Sequence, residues 1–260
     1  MMKDQKDLWL KNTVEPLLKE LLDNAAFHSF PRTFAYPNRI LRDSILFIGI
    51  NPSNSKDDHN EIETYDLKQD ENGHSYFKKF QEISAYCKTP WAHLDMLFFR
   101  ETDQSRISEL LKSDNGVKYV WEQLQVSGKL MERCNPEVII VCNSLARTFL
   151  GFDSDGKTNI WLGFSFSFDN EIGTYRWNGI PVFFSSMLIG QRALDRGSYE
   201  RLKWQVRNTL IIDLEKKKKE VVNLKNKVVR TQKYELAAEL RGQERVLENR
   251  LSELRFNNEQ

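Results

Sequence analysis

Apolar residues are arranged along most of the chain in two alternating patterns. Four short runs consist almost entirely of apolar residues, at 45–50, 94–99, 138–142 and 180–184. Each run is followed by a stretch in which apolar residues recur at helical spacing. A short run of this kind is typical of a strand that is buried on both faces of a parallel sheet. Strands that alternate with helices predict an α/β fold, a three-layer α/β/α domain with a mostly parallel central sheet.

The segments around these runs predict smaller features. Apolar residues at helical spacing from Val14 to Ala25 predict an amphipathic helix at the start of the chain. Pro31 and Pro37 mark an irregular segment after it, and the polar stretch 56–73 predicts a long loop. An antiparallel excursion is predicted where phenylalanine alternates with serine, at Phe164, Phe166 and Phe168.

The pattern changes at Leu214. Beyond it charged residues dominate, proline and tryptophan are absent, and leucine or valine recurs every seven residues. A break near 232–234 separates two such segments, which predicts an antiparallel α-helical hairpin. The predicted apolar seam consists of Leu214, Val221, Leu224, Val228, Ala237, Leu240, Leu247, Leu251 and Leu254. We therefore divide the chain into an α/β domain over 1–213 and a helical hairpin over 214–260.

Composition excludes several classes of protein. Hydrophobic residues make up 40% and aromatic residues 12% of the 260 residues, which is enough for a packed core. No stretch approaches the roughly 20 apolar residues that span a bilayer, and the N-terminus lacks the pattern of a secretory signal. Cys87, Cys134 and Cys142 lie far apart, so we expect reduced thiols in a cytoplasmic protein. The histidines are also scattered, so we expect neither a metal site nor a cofactor.

The net charge of +1 is unevenly distributed along the chain. From Asp213 onward 12 Lys and Arg stand against 9 Asp and Glu, which leaves 26 against 28 before it. The hairpin therefore carries about +3 and the domain about −2. Contact between the domain and DNA would then depend on a local basic patch and on backbone amides rather than on the overall field.

The most distinctive segment for chemistry follows the first apolar run and reads Gly49-Ile50-Asn51-Pro52-Ser53. Glycine lets the backbone approach a ligand closely, proline stiffens the turn, and the asparagine carboxamide can hold a water molecule. Asn-Pro turns after strands are also common as purely structural turns, so the segment by itself leaves both interpretations open.

This segment resembles the first motif of the uracil-DNA glycosylase superfamily, in its mismatch-specific and single-strand-selective-like branch. Three further segments, 93–99, 135–143 and 185–192, are similar to later motifs of the superfamily and occur in the same order. The resemblance covers about residues 30–212. It implies a domain that flips a base out of DNA and hydrolyses its N-glycosidic bond without a cofactor.

The resemblance also assigns residues to the site. Asn51 matches the residue that positions the attacking water, and Gly49, Ile50 and Ser53 surround it in the base-binding site. These assignments make Asn51 the first candidate catalytic residue.

Two other residues are expected to hold the base. Asp95 matches the residue that reads the base edge, although an aspartate at this position could equally cap the next helix. Tyr65 lies close to where relatives place the aromatic residue that stacks on the base, and packing of the loop is the alternative. Asp57 and Asp58 are carboxylates that could assist the water, or simply solvated loop residues.

The closing segment departs from the superfamily pattern. Ser185 and Ser186 stand where relatives carry His-Pro or Asn-Pro, so Ser186 takes the catalytic place and Ser185 the adjacent base-binding place. A hydroxyl donates one hydrogen bond to a developing oxyanion and contributes less than an imidazole. Gln191 and Arg192 follow, where they could wedge into the duplex or contact phosphate; a surface salt bridge is the alternative for Arg192.

The hairpin has a resemblance of its own. Residues 228–241 resemble the UVR motif of excision-repair proteins, of some Clp-type ATPases and of their adaptors. The resemblance implies that Tyr234 fills the turn between the helices. It also implies a protein partner, or self-association, through the hairpin.

Two functions therefore stand side by side, and DNA is the expected partner in both, with no role for a membrane. The first is a DNA glycosylase that excises a uracil-like or modified base, which the Gly-Ile-Asn-Pro turn favours. The second is a catalytically silent DNA-binding or adaptor module that recruits a repair or proteolysis partner through the hairpin. The Ser185-Ser186 pair favours the second function.

Overall fold

The structure is a computed structural model that describes residues 7–53, 61–66, 75–152, 161–190 and 193–256. Within these ranges the chain forms seven α-helices and eight strands. The helices are Leu8–Asp23 (α1), Lys78–Cys87 (α2), Ser105–Leu110 (α3), Asp114–Cys134 (α4), Ser144–Leu150 (α5), Arg196–Arg230 (α6) and Tyr234–Arg255 (α7). The strands are Phe34–Pro37 (β1), Ile45–Gly49 (β2), Ile62–Tyr65 (β3), Trp91–Asp95 (β4), Val138–Val141 (β5), Ser167–Asp169 (β6), Thr174–Trp177 (β7) and Ile180–Phe184 (β8).

The predicted α/β fold with a mostly parallel central sheet is confirmed. The central sheet has the order β4-β2-β5-β8-β7-β6, and its first four strands are parallel. β6, β7 and β8 pair antiparallel at one edge. α1 packs on α4, and α2 packs on α6, so the helices form separate groups around the sheet. The buried apolar side chains of β2, β5 and β8 form the centre of the core.

The strand that was predicted at 94–99 is displaced along the chain. β4 runs from Trp91 to Asp95, in register with β2. The backbone of Met96 and Leu97 still donates to the carbonyl groups at and just after the end of β2, and the chain then leaves the sheet. The later apolar residues of the run are therefore buried by packing rather than by a strand ladder.

Two strands lie where the sequence predicted irregular structure. β1 falls within the segment marked by prolines, and β3 falls within the predicted loop; the two form a separate parallel pair. β1 is buried along its whole length, and the backbone of Ala35 bonds to that of Phe98 beyond β4. The predicted antiparallel excursion is confirmed only in part. Ser167–Asp169 forms a strand antiparallel to β7, whereas Phe164 lies outside any strand and its ring stacks on that of Trp177 at 4.5 Å between centroids.

The last two helices form the predicted hairpin. α6 is continuous through the proposed domain boundary at 213–214, and α7 returns alongside it. Leu224, which was predicted to face inward, is 48% exposed. The seam residues that are buried are Val228, Ala237, Leu240, Leu247, Leu251 and Leu254. The division into two domains therefore stays a prediction, with one helix shared between them.

The far end of α7 packs against the α/β domain. The guanidinium of Arg207, which is 3% exposed, donates through Nε to the carbonyl oxygen of Leu254 at 2.7 Å. Leu254 belongs to the same buried cluster as the central strands. Arg250 donates to the backbone of Lys88 and, at 2.5 Å, to the hydroxyl of Thr89. The hairpin is thus anchored at its base, while its turn lies at the other end.

Candidate functional site

A cavity of about 500 Å³ opens at the carboxyl ends of β2, β4 and β5. Parallel sheets of this kind bind ligands at this edge, and the volume lies in the range of small-molecule sites. The predicted site residues that line the cavity are Gly49, Ile50, Asn51, Ser53, Tyr65 and Asp95. The structure thus brings most of the candidate residues into one cleft.

Gly49 ends β2 at a point where a side chain would meet the side chain of Asp95. A Cβ atom on this residue would lie 2.2 Å from Oδ1 of Asp95 and 3.1 Å from Nε2 of His93. The absence of a side chain lets the carboxyl group lie across the end of β2. Gly49 therefore shapes the floor of the cleft.

The carboxamide of Asn51 is fixed by two backbone carbonyl groups. Its Nδ2 donates to the carbonyl oxygen of Pro52 at 2.9 Å and to that of Glu101 at 2.6 Å. Because both partners are acceptors, the NH₂ group must face them, and Oδ1 is turned the other way as an acceptor. An acceptor held in this manner can orient a water molecule.

Asp95 and His93 lie side by side on one face of β4, since alternate residues of a strand point the same way. They are 6% and 5% exposed, and Oδ1 of Asp95 lies 3.6 Å from Nε2 of His93. Burial raises the pKa of the Asp95 carboxyl to about 8 and lowers the pKa of the His93 imidazole to about 3. The distance is that of an ion pair, but burial leaves both groups mostly uncharged at neutral pH. Asp95 does not cap the next helix, because α3 begins only at Ser105.

Aromatic rings form one wall of the cleft. The rings of Tyr65, Tyr76 and Phe77 lie 6.3, 5.9 and 5.3 Å from the imidazole of His93, measured between ring centroids. Burial raises the pKa of both tyrosine hydroxyl groups, and the nearby Asp95 adds to the effect. Within the described residues the hydroxyl of Tyr65 has no hydrogen-bond partner. The wall is apolar in character and carries a few buried polar atoms.

The rim of the cleft is polar and held by hydrogen bonds. Oδ1 of Asn143 accepts from the backbone of Leu145 and Ala146 at 2.8 and 3.2 Å, which caps α5. Its Nδ2 donates to Oε1 of Gln104 at 3.3 Å. Arg100 donates to Glu63 at 2.6 Å, so this arginine is already engaged by a carboxylate.

The two candidate serines of the closing segment do not join the other candidates. Ser185 and Ser186 are not among the residues that line the cavity, and Met187 lines it instead. Ser186 is exposed, whereas the hydroxyl of Ser185 is buried without a partner in the described part of the chain. The structure does not describe Gln191 and Arg192, and the same holds for Asp57 and Asp58.

Sequence reasoning missed several residues of the cleft. His93 could have been found, since it stands two positions before Asp95 on the same strand face. Tyr76, Phe77 and Asn143 reach the cleft from other elements, and only the tertiary structure brings them to β4. Asn143 could also have been found, since it directly follows the predicted run 138–142, whereas no local spacing in the sequence points to Tyr76 and Phe77.

The hairpin presents a surface of a different kind. Ion pairs join its two helices, from Lys225 to Glu244 and, at 2.8 Å, from Lys218 to Glu248. Tyr234 is 67% exposed, so the expectation that its ring fills the turn is wrong.

Within the ranges that the structure describes, none of the helices combines the length and apolar character needed to cross a membrane.

Comparison with known protein families identifies the hairpin. Residues 215–250 match the UVR motif, described as the UvrB/uvrC motif. The match spans the end of α6, the turn and most of α7, and it confirms the resemblance of this segment. No curated protein and no solved structure matches the chain. The resemblance of the α/β domain to uracil-DNA glycosylases has no support from these comparisons and stays a prediction.

Proposed function

We propose that the cleft binds one unstacked base of DNA and hydrolyses its N-glycosidic bond. The observation that carries the proposal is the convergence of Asn51 and Asp95 in one cavity with aromatic walls at the carboxyl ends of the parallel strands. A base inside a duplex is inaccessible to such a cavity, so the nucleotide has to leave the stack, at a cost of a few kcal/mol. Tyr65, Tyr76 and Phe77 offer ring surfaces that favour an unstacked base.

The chemical step needs a positioned water and a group that holds the base. Oδ1 of Asn51 orients the water toward C1′ of the sugar. The water oxygen forms a bond to C1′ as the N-glycosidic bond breaks, and the bonding electron pair stays on the base. The water proton passes to solvent, and the base takes up a proton from solvent afterwards.

The hairpin gives the protein a second role in this proposal. The UVR motif is consistent with an interaction with DNA-repair proteins or with DNA. We assign the hairpin to a protein partner or to a second copy of the chain, because the UVR motif is associated with interactions between repair proteins and because Leu224, Leu236 and Val246 are exposed on its helices. The α/β domain then performs the base chemistry, and the hairpin attaches this domain to its partner.

A second candidate function follows from the closing segment. Met187 lines the cleft in place of Ser185 and Ser186, so these hydroxyl groups do not reach the cavity to stabilise a departing base. This observation favours a module that binds a base or DNA without cleaving it, and recruits a partner through the hairpin.

One experiment separates the two functions. Full-length protein is incubated with single- and double-stranded oligonucleotides that each carry one uracil or modified base, and abasic sites are revealed by heating in alkali. Binding is measured on the same oligonucleotides. Strand cleavage at one base supports the glycosylase; base-dependent binding without cleavage supports the silent module. If the protein showed no cleavage and no base-dependent binding, both functions would be refuted.

A further inference from the structure

A second cavity, of about 560 Å³, adjoins the cleft and shares Arg100 with it. The segment 29–33 forms one wall of this cavity, and α3 with the residues on either side of it forms the other. Glu101 also lines the second cavity, and its backbone carbonyl accepts from Nδ2 of Asn51 at 2.6 Å. The second cavity therefore lies next to the part of the cleft that carries Asn51.

Hydrogen bonds and ring contacts hold the first wall in place. The hydroxyl of Tyr119, on α4, donates to the carbonyl oxygen of Pro31 at 2.6 Å. The backbone N–H of Arg100 donates to the carbonyl oxygen of Thr33 at 2.8 Å. The ring of Phe30 packs on that of Tyr119 at 5.3 Å between centroids. A wall fixed in this way needs little ordering when a ligand binds.

The ion pairs of the second cavity leave one cation without a partner. Three arginines and two glutamates line the cavity. Glu101 pairs with Arg106 at 3.2 Å, and Glu109 pairs with Lys112 at 2.7 Å. Within the described ranges Arg32 forms no ion pair with a carboxylate. The two glutamates are thus neutralised by other cations, and the charge of Arg32 remains available.

The guanidinium group of Arg32 is fixed at one end and open at the other. Its Nη1 donates to the carbonyl oxygen of Leu22 at 3.0 Å. Its Nε and Nη2 form no hydrogen bond in the described part of the chain, and neither is a buried atom. These nitrogens differ in accessibility from those of His93, which are buried. An accessible guanidinium group held in one orientation is well suited to a phosphate oxygen.

We propose that the second cavity binds the nucleotide next to the one held in the cleft, and that Arg32 contacts the phosphate group of that nucleotide. The proposal rests on the base-binding function of the cleft. The α/β domain carries no overall positive charge, so its contact with DNA depends on a local cation, and Arg32 supplies one beside the cleft.

The size and character of the cavity favour a nucleotide over a free anion. Its volume is in the range of small-molecule sites and is far more than a phosphate ion needs. Phe30, Pro31 and Leu110 give it an apolar wall, against which the sugar or base of an unstacked nucleotide can pack. Because Arg100 lines both cavities, a strand that enters one passes directly into the other.

The first test is the salt dependence of binding to a short single-stranded oligonucleotide with one uracil at its centre. Each phosphate contact to a single strand contributes about 0.7 to the slope of log K against log salt concentration. Arg32→Gln in the full-length protein should make this slope shallower by about 0.7. It should also weaken binding by about 10-fold at low salt, because a charge-assisted hydrogen bond is lost.

The second test locates the phosphate. Each linkage of the oligonucleotide is replaced in turn by an uncharged methylphosphonate, and binding is measured for the wild type and for Arg32→Gln. At one linkage beside the uracil the wild type should lose about 10-fold in affinity, whereas Arg32→Gln should lose little more. Such coupling identifies a direct contact, which a merely structural arginine would not show.

Two control variants separate charge from packing. Arg32→Lys keeps the positive charge but loses the guanidinium contact with Leu22, so it should keep most of the salt slope even if its melting temperature falls. Arg201→Gln removes one charge from an exposed position on α6, outside both cavities, and should leave the slope unchanged. An equal change in Arg201→Gln and Arg32→Gln would mean that overall charge, and not the second cavity, determines binding.

The outcomes distinguish this proposal from the function of the cleft. An unchanged slope in Arg32→Gln, or losses that simply add at every linkage, would overturn the phosphate contact while base-dependent binding stands. Should Arg32→Gln fail to fold, the wild-type scan decides: no loss at either linkage beside the uracil would overturn the proposal. Stabilisation by inorganic phosphate that depends on Arg32, with equal oligonucleotide binding, would assign the cavity to a free anion instead. Absence of any preference for uracil over an abasic analogue would refute the function of the cleft, and this inference with it.

Discussion

The cleft and the base of the hairpin differ in how far their buried polar groups are paired. At the base of the hairpin, the buried Arg207 donates to the carbonyl oxygen of Leu254, although its Nη1 lacks a partner among the described residues, and the nearby Arg250 donates to the backbone and to Thr89. In the cleft, both nitrogens of His93 and the hydroxyl of Tyr65 have no partner among the described residues. Unpaired groups lower stability, so the hydrogen bonds at the base of the hairpin stabilise the fold more than the polar groups of the cleft do.

The two regions also differ in how they are encoded. The hairpin is a continuous segment with a seven-residue repeat, and a family model recognises 36 of its residues, 215–250. The cleft collects residues from β2, β3, β4 and the segments after β5 and β8. A local pattern identifies the first kind of structure. The second depends on the fold that brings distant residues together.

The largest effect is expected at the base of the hairpin. Leu254 is 1% exposed and lies in the main core cluster, so Leu254→Ala should lower the free energy of unfolding by about 2–5 kcal/mol. Val246→Ala is the matched control on the same helix, because Val246 is 68% exposed, and it should cost less than about 0.5 kcal/mol. Urea unfolding measures both. Equal and small losses would mean that the hairpin is not anchored to the domain.

This anchoring bears on the expected division of the chain. A truncation after Asp213 would remove Leu254 and leave Arg207 without its acceptor. It would also place the new chain end at Asp213, whose carboxylate forms an ion pair with Arg176 at 2.6 Å. We therefore expect the truncated domain to be destabilised by at least as much as the Leu254→Ala variant. Point variants in the hairpin are thus a cleaner way to separate association from base chemistry.

The next effect concerns the cleft. If excision is observed, Asn51→Ala should lower the single-turnover rate by about 10²-fold or more, because it removes the acceptor that orients the water. DNA affinity should change little, since phosphate contacts dominate it. Ser186→Ala is the control: Ser186 is exposed and outside the cavity lining, so the rate should stay within about twofold of the wild-type rate.

Full activity of Asn51→Ala would move the water-positioning role to another residue. A large loss in Ser186→Ala would instead show that the closing segment moves into the cleft when DNA binds. Either result would change which residues belong to the site.

The sequence predicted the central strands because their burial follows a local rule. β2, β5 and β8 lie within the predicted runs, since each is apolar and ends at a turn. β1 and β3 escaped prediction because neither is an unbroken apolar run, since β1 ends in Pro37 and β3 contains Glu63 and Thr64. Their pairing is a tertiary effect, and proline and polar residues nearby masked it.

The candidate site, like the fold, could be predicted only in part from the sequence. Asn51 follows from the rule that ligands bind at the carboxyl ends of parallel strands, whereas Asp95, which stands near the start of the predicted run 94–99, was assigned only through the resemblance. The unpaired state of His93 could not be predicted, because it depends on the rings that surround it. The exclusion of Ser185 and Ser186 likewise depends on how the chain turns after β8.

A smaller effect should appear in the pH dependence of stability. Asp95 keeps its proton in the folded protein up to about pH 8, whereas the unfolded chain loses it near pH 4, so this group lowers stability as pH rises between these values. His93 has a pKa of about 3 when folded and about 6.5 when unfolded, so it lowers stability as pH falls through that window. Each slope is at most about 1.4 kcal/mol per pH unit.

Two variants separate these opposing contributions to the pH dependence of stability. Relative to the wild type, Asp95→Asn should become progressively more stable from about pH 4 to 8, and His93→Phe progressively more stable from about pH 6.5 down to 3. Thermal unfolding across this range measures both differences. Parallel pH profiles for the wild type and Asp95→Asn would show that the carboxyl group titrates normally and is ionised in the cleft.

The smallest effect is expected at the turn of the hairpin. Tyr234 begins α7 and is 67% exposed, so Tyr234→Ser should change the free energy of unfolding by less than about 0.5 kcal/mol. Ala237 is the matched position, because it is 9% exposed within the seam, and Ala237→Ser should cost more by placing a hydroxyl between the helices. Urea unfolding compares the two, and light scattering reports whether either variant changes the mass of the protein in solution. A loss above about 1 kcal/mol for Tyr234→Ser would mean that the ring packs into the turn after all. Unchanged stability together with altered mass would instead assign the exposed ring to self-association, which is the role that the structure leaves open to it.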